Sequence, residues 1–378
     1  MPVPVIAGAH TIPFVKESTH VVDLGADAVR GLLRSTGIDR EAVDTVISAG
    51  VAGGALLGQR ILSRLSMTGL PVFNIENACA SGASAAHLAI GMVASGQARI
   101  VVVVATERLS ALGGGALKLD PTDIEAAQGA IMPAHYALRA NRYLWENGLK
   151  PEDLAGVSVK NRRNGALNPI ARFQAAVTLE EVLNSKPIAD PLTLLQCSPN
   201  SDGSSAVLIC SEEAASELGL DAVGIKASVI TSGKYSDAPR DLTMPDVTLR
   251  AIQQAYAQAG IGPKDLDLAE VHDAFSIAEV LYYEALGLCE RGQGARYLAE
   301  GRADIDGDCA VNPSGGLISR GHPVGATGVA QLGEAYEQLT GRAGARQVPG
   351  ASVALTHVTG GGIAGVDNGA CGVHVLAV

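Results

Sequence analysis

The chain has 378 residues, a formal net charge of −11, 45 glycines and 3% aromatic residues. The length exceeds what one hydrophobic core usually serves, so two domains or one duplicated unit are expected, and the glycine-rich, aromatic-poor composition fits an α/β protein with close helix-to-sheet packing. The acidic balance excludes a nucleic-acid surface, which needs clustered Lys and Arg, and no apolar run reaches the length of a membrane span.

In chain order, residues 1–6 lack a basic region and a long apolar run, so they read as a first strand rather than a signal peptide. The spacing of Val22, Ala26, Val29, Leu32 and Leu33 predicts a helix over 21–36 that stops at Gly37, a residue type that tolerates positive φ. A strand over 43–48, a helix over 56–67 and an extended run over 71–75 follow. That run leads into Asn77-Ala78-Cys79-Ala80-Ser81-Gly82 and a small-residue helix ending near Gly96. The β-branched run Ile100-Val101-Val102-Val103-Val104 has the pattern of a strand covered on both faces. From Leu112-Gly113-Gly114-Gly115 to about residue 190 the character changes. Here lie the only Trp, Trp145, a helix-like segment over 134–147 and a polar loop, Lys160-Asn161-Arg162-Arg163-Asn164. This stretch reads as an insertion covering the top of the first half. Strand patterns return over 205–210 and 225–230.

The chain then starts again. The helix pattern around Val29, the Gly37-Ile38 turn and Asp44 have counterparts around Leu249, at Gly260-Ile261 and at Asp267, with one common offset. Reuse of a helix, a Gly-Ile turn and an Asp-led strand points to internal duplication of an αβ unit. Under that duplication the helix after Cys79 has its partner in the segment from Asn312-Pro313-Ser314-Gly315-Gly316 through Gly321-His322-Pro323-Val324-Gly325-Ala326-Thr327-Gly328.

Cys79 sits where an extended run meets a helix N-terminus, whose unpaired N–H groups and positive dipole end stabilise a thiolate and lower its pKa. Taken alone it reads first as a small buried core thiol. His272, His322 and His357, beside glycines or at strand ends, each read singly as hydrogen-bonded structural histidines. Jointly, three histidines and a helix-capping cysteine form the inventory of nucleophilic acyl transfer: a thiolate attacks, an imidazole takes its proton, and donors stabilise the oxyanion. Zinc is the competing use of Cys and His, but the spacings lack the short paired ligands of structural sites, so no metal is expected. The other cysteines, at 197, 210, 289, 309 and 371, are scattered, and free thiols in a reducing cytoplasm are the simplest account.

The blocks at 77–82, His272-Asp273-Ala274-Phe275, 312–316 with 321–328, and Gly360-Gly361-Gly362 resemble the thiolase superfamily, in order and over essentially the whole chain. The His-Asp-Ala-Phe form, with residues 161–169 and 188–192, is most similar to the sterol-carrier-protein and archaeal types. The resemblance implies a duplicated five-layer αβαβα fold. Residues 1–112 and 190–242 would form the N-terminal half, 113–189 an inserted loop domain covering coenzyme A, and 243–378 the C-terminal half. It implies a CoA-dependent acyltransferase that cleaves a 3-oxoacyl-CoA, or forms one by Claisen condensation, as in β-oxidation-like degradation. Cys79 would carry the acyl group and His322 would activate it. His272 would serve one oxyanion hole, and the N–H groups of Cys79 and Gly360 the other.

One departure matters. Many thiolases carry a second cysteine just before the last glycines as acid/base for the α-carbon; here Val358-Thr359-Gly360 stands there, Ala274 offers no thiol, and His357 is the nearest candidate. Arg162, Arg163, Ser232 and Gly361 are the candidate CoA contacts. That departure also motivates a thiolase-like aldolase or lyase acting on an aromatic or branched acyl-CoA, and a non-catalytic acyl-CoA- or lipid-binding protein is a third reading. No permanently bound cofactor is expected, CoA being a co-substrate. The resemblance implies a homodimer or tetramer, with a small zinc-ribbon and oligonucleotide-fold-like companion subunit as a further partner.

Overall fold

The β-branched run at 101–104 becomes the fully buried centre of a strand, as its composition dictates. In the computed structural model, which describes every residue except 19, 114, 118, 237, 238, 365 and 366, the strands are, in chain order, β1 (Pro4–Thr11), β2 (Thr45–Ala49), β3 (Val72–Ile75), β4 (Ile100–Arg108), β5 (Pro187–Ala189), β6 (Leu192–Thr193), β7 (Asp202–Ser211), β8 (Val223–Ser232), β9 (Leu268–Glu270), β10 (Ala310–Val311), β11 (Val353–Gly360) and β12 (Ala370–Ala377). Gly114, within the glycine run at the start of the expected insertion, lies outside the described residues.

Strands β5 and β6 pair only with each other, and the rest form one sheet in the order β10-β9-β11-β12-β8-β1-β7-β4-β2-β3. Split between β8 and β1, the sheet shows the duplication directly. Numbering the five sheet strands of each half in sequence, both halves run 3-2-4-5-1. In both, the second strand is parallel to its two neighbours and the fifth antiparallel to its two. Two antiparallel residue pairs, Val5 with Gly224 and Ile6 with Val223, join the halves.

The repeated sequence features have repeated jobs. Helix Val21–Thr36 ends on Gly37 and helix Asp246–Ala259 on Gly260, both at φ 69°, the left-handed conformation glycine adopts without a Cβ penalty. The Asp44 carboxylate accepts the N–H groups of Arg99 and Ile100 at the start of β4, at 2.7 and 2.9 Å. Asp267 does the same for Ser352 and Val353 at the start of β11, at 2.7 and 2.9 Å.

Helices Ser81–Ala94 and Thr327–Leu339 pack on each other between the two halves of the sheet, sharing one apolar core with residues of both halves, among them Ile47, Val207, Leu268 and Ala354. Helix Val21–Thr36 covers the outside of β7, β1 and β4, and helix Asp246–Ala259 the outside of β8 and β12. Helix, sheet, helix, sheet, helix make the expected five layers. The two central helices touch backbone to backbone: a Cβ on Gly82 would lie 2.9 Å from the Gly325 carbonyl oxygen, and one on Gly328 2.6 Å from the Ala83 nitrogen.

Two expectations change. The stretch over 113–189 was expected over the first half. Its helices Met132–Asn147 and Pro151–Gly165 instead share a core with the second half, where Tyr143, Leu144, Leu154 and Val157 join Ile277, Val280 and Leu281. The polar run at 160–164 is the end of helix Pro151–Gly165, with Lys160, Asn161 and Asn164 buried. Its polarity is matched inside the protein. Lys160 Nζ meets Glu279 Oε1 at 2.8 Å and also donates to the Val311 carbonyl. Asn161 Nδ2 donates to Asp273 and Glu279, each at 2.7 Å. A buried polar cluster whose donors are met by distant carboxylates looks in sequence like a solvated loop.

Candidate active site

The chain turns sharply before helix Ser81–Ala94. Ala78 takes φ 50°, a conformation that costs a non-glycine residue energy and that the surroundings must hold. The Ser81 hydroxyl holds it from one side, donating to the Ala78 carbonyl at 2.6 Å and accepting the Asn77 N–H at 2.8 Å. Gly360, at the end of β11, seals the other side; a Cβ there would lie 2.4 Å from the Asn77 carbonyl oxygen. This turn exposes Cys79 to a cavity of about 560 Å3 whose walls also include His272, His322, Tyr136, Phe275, Thr359 and Gly361.

The sulfur of Cys79 and a ring nitrogen of each of His272 and His322 lie within 4.8 Å of one another. The two rings meet edge to face, with centroids 5.1 Å apart. Each imidazole is anchored through Nδ1, His322 on Thr327 Oγ1 at 2.8 Å and His272 on Thr359 Oγ1 at 3.1 Å. Thr327 Oγ1 donates to the Pro323 carbonyl at 3.3 Å. It therefore accepts the Nδ1 proton of His322, which leaves Nε2 of that ring with a free lone pair.

Burial decides the protonation states. It pushes the Cys79 thiol up to about 12, against the Gly361 N–H, which favours the thiolate. The lowered pKa expected from the helix end is not what this environment produces, because desolvation outweighs the donors. Burial lowers His272 to about 3, and it lowers His322 well below the usual imidazole value, with His272 and Arg320 adding repulsion. A neutral thiol beside two neutral imidazoles is a nucleophile waiting for its base.

Surrounding polar groups fix the loops that carry these side chains. Asp273 accepts the N–H groups of Leu317 and Ile318 at 2.6 and 3.2 Å, binding the His272 segment to the short helix Gly316–Arg320. Asn312 Oδ1 accepts the Val271 N–H at 2.8 Å, and its Nδ2 donates to Glu279 at 2.6 Å. Buried Glu107, at the end of β4, accepts from Val51, Ala52 and Gly325 at 2.9, 2.8 and 3.1 Å, so it ties the His322 loop to the first half.

Among the residues singled out from sequence, Cys79, His272, His322 and Gly361 meet at this cavity. His357 does not reach its wall. Its ring lies behind Thr359, with Nε2 3.0 Å from Thr248 Oγ1 and its centroid 4.4 Å from that of Tyr282. Arg162 is buried over the Phe173 ring at 4.1 Å, and Arg163 pairs with Asp304 at 2.6 Å; neither lines the cavity. Ser232, at the end of β8, offers its carbonyl to Arg250 at 2.7 Å and is also off the wall. Among the described residues, the cations on the wall are Lys16 and Arg172. Sequence reasoning passed over Thr327, Thr359 and Glu107. For Thr327 a signal was present, since it stands five residues beyond His322 and at the start of the helix that follows.

Comparison with known proteins agrees with this geometry. The model of the thiolase N-terminal domain matches residues 4–213, and that of the thiolase C-terminal domain-like family matches 228–366. The chain is 42% identical over 363 residues to the benzoylsuccinyl-CoA thiolase subunit BbsB of Thauera aromatica, covering 94% of each. It is 40% identical over 370 residues to an acetyl-CoA acetyltransferase of the archaeon Methanothermobacter thermautotrophicus, again covering 94% of each. In structure it is similar to the Ltp2-ChsH2(DUF35) aldolase, with a TM-score of 0.85 and 26% identity over 99% of this chain and 98% of that one. A duplicated five-layer fold with a cysteine between two anchored histidines, and matches of this extent in both halves, make the chain a member of the thiolase family, an acyltransferase of the thiolase type.

Proposed function

We propose that the enzyme cleaves a 3-oxoacyl-CoA through an acyl group on Cys79, with His322 performing the proton transfers and His272 donating a hydrogen bond to a substrate oxygen. The observation that carries this reading is the meeting of Cys79, His272 and His322 within 4.8 Å, with both Nδ1 atoms tied down by hydroxyls. As Cys79 attacks the 3-oxo carbon, Nε2 of His322 takes the thiol proton. The bond between C2 and C3 then breaks, and the acetyl-CoA enolate takes that same proton at C2. One imidazole serving in both directions removes the need for a second thiol. The Nε2 of His272 has no hydrogen-bond partner although it is buried, which supports its role as donor to a substrate oxygen. The N–H groups of Cys79 and Gly361 serve the second oxygen, in place of Gly360, which is off the cavity wall. CoA then enters and its sulfur attacks the acyl carbon; its thiol proton passes to His322 and from there to the departing Cys79 sulfur, which restores the neutral thiol. In this assignment His357 packs the wall behind Thr359 and handles no proton of the substrate.

The cavity offers CoA a mostly apolar passage to Cys79, with Lys16 and Arg172 as cations for its phosphates and Gly361 beside the thioester. We assign the phosphate contacts to Lys16 and Arg172 rather than to Arg162, Arg163 and Ser232. CoA is a co-substrate, and no other cofactor enters the scheme. Six free cysteines fit a reducing cytoplasm, and no helix among the described residues is long and apolar enough to cross a membrane. A homodimer is proposed through the exposed edge of β3. A companion subunit is proposed because BbsB is named a subunit and the Ltp2 aldolase is a complex with a DUF35 partner.

The rival reading is a retro-aldol lyase, favoured by the similarity to that aldolase. Incubation with a panel of aliphatic and aromatic 3-oxoacyl-CoA compounds, read by intact mass, separates the two. Thiolysis gives an acyl adduct on Cys79 that CoA removes, and Cys79→Ala loses turnover by at least three decades. Turnover of a 3-hydroxyacyl-CoA with no adduct at any stage would establish the lyase instead.

A further inference from the structure

Cys79, His272 and His322 stand far apart along the chain, yet the fold brings them from three separate segments to one point. Cys79 offers Sγ, and His272 and His322 offer one ring nitrogen each, all within 4.8 Å. Because the Nδ1 atoms are engaged with Thr359 and Thr327, the nitrogen each ring has free is Nε2. In His272 that atom is buried without a hydrogen-bond partner. Imidazoles that bind metal ions are held in this manner, one nitrogen fixed by a neighbour and the other presented to the ion.

We propose that Cys79, His272 and His322 form a binding site for a soft divalent cation, zinc above all, whose occupancy excludes acylation. One thiolate and two imidazoles make the three-ligand set of an open tetrahedral zinc site, with the fourth position facing the cavity. Ligand atoms around such an ion stand roughly 3.5 Å apart, so closing the site takes side-chain movements of about an ångström. The rings can make them by turning about their threonine anchors. On binding, the S–H bond of Cys79 breaks, its proton leaves to solvent, and the sulfur lone pair forms the bond to zinc with no change of oxidation state. Acyl transfer needs that same lone pair. Zinc therefore competes with the acyl-CoA and shields the thiol from alkylation and oxidation while it is bound.

The test uses metal readouts that do not depend on turnover. Equilibrium dialysis of the full chain against a zinc buffer should give one ion per chain. Cobalt(II) added to the full chain should show a thiolate-to-cobalt charge-transfer band. Cys79→Ala should lose the band, His272→Gln should weaken zinc at least tenfold, and Cys197→Ser, which alters another thiol on the same wall, should change neither. In the unmodified protein, zinc should slow iodoacetamide labelling of Cys79 and a chelator should restore it, a readout that needs no variant to fold. Absence of bound zinc at micromolar free ion, or a cobalt band that survives Cys79→Ala or disappears with Cys197→Ser, would overturn the proposal. Failure of 3-oxoacyl-CoA cleavage would leave these metal results standing, so the two readings fail separately.

Discussion

Cys79 is reactive only in company. Its thiol, raised to about 12, is neutral at physiological pH, and so are the imidazoles lowered by burial. The attacking sulfur therefore has to pass its proton to His322 within the encounter. The sign of the pH dependence follows. A histidine whose pKa is lowered stays neutral, and competent as a base, through the range where an ordinary imidazole becomes charged, so kcat/KM should be flat from about pH 8 down past the usual midpoint near 6.5. It should fall only in stronger acid. Thr327→Val removes the hydroxyl that fixes the His322 tautomer. It should lower kcat by about 10- to 100-fold, the usual cost of losing an orienting partner, with KM little changed and a shifted acid limb in the pH profile. A kcat within twofold of the parent would show that Thr327 does not position the base. That Cys79, His272 and His322 belong to one site was legible from sequence; their protonation was not, because desolvation is a property of what surrounds a group.

At the scale of elements, catalysis depends on how closely two helices approach. Helix Ser81–Ala94 carries the Cys79 turn at its start, and helix Thr327–Leu339 starts just beyond His322. Their contact at Gly82 and Gly328 leaves no room for a side chain. Gly328→Val should cost about 1–3 kcal/mol of stability through overpacking, and it should lower kcat more than KM by moving His322 away from Cys79. Chemical denaturation together with steady-state kinetics checks both. An unchanged kcat at reduced stability would mean that the catalytic loop is held by Glu107 and Asp273 alone. The duplicated helix, turn and strand were legible because local chemistry repeats: a Gly at each helix end, an Asp at each strand start. The helix ending in Lys160, Asn161 and Arg162 was not, because its polar face pairs with Glu279, Asp273 and Val311, more than a hundred residues away in sequence.

For the whole molecule, the exposed end of the sheet is β3. One side of this short strand pairs with β2 while the other has no strand beside it among the described residues, and Phe73 on it and Leu88 on the adjoining helix Ser81–Ala94 are 46% and 45% exposed. A sheet edge with apolar neighbours is a template for pairing. Two copies meeting edge to edge about a twofold axis would satisfy the free backbone groups and cover both side chains. Light scattering should show a dimer, and Phe73→Glu should shift it to monomer. A parent chain that runs as a monomer would rule this interface out.

Sequence by itself determined the duplication and most strand and helix types, and it singled out Cys79 and His322 as the proposed nucleophile and base, because each rests on local propensity or on a motif with few alternative uses. Tertiary structure alone decided that the helices over 132–165 share the second half's core, that His357 lies off the cavity wall, and that threonines hold His272 and His322. Those facts follow from which distant surfaces come into contact, and contact sets burial, hydrogen-bond partners and charge together.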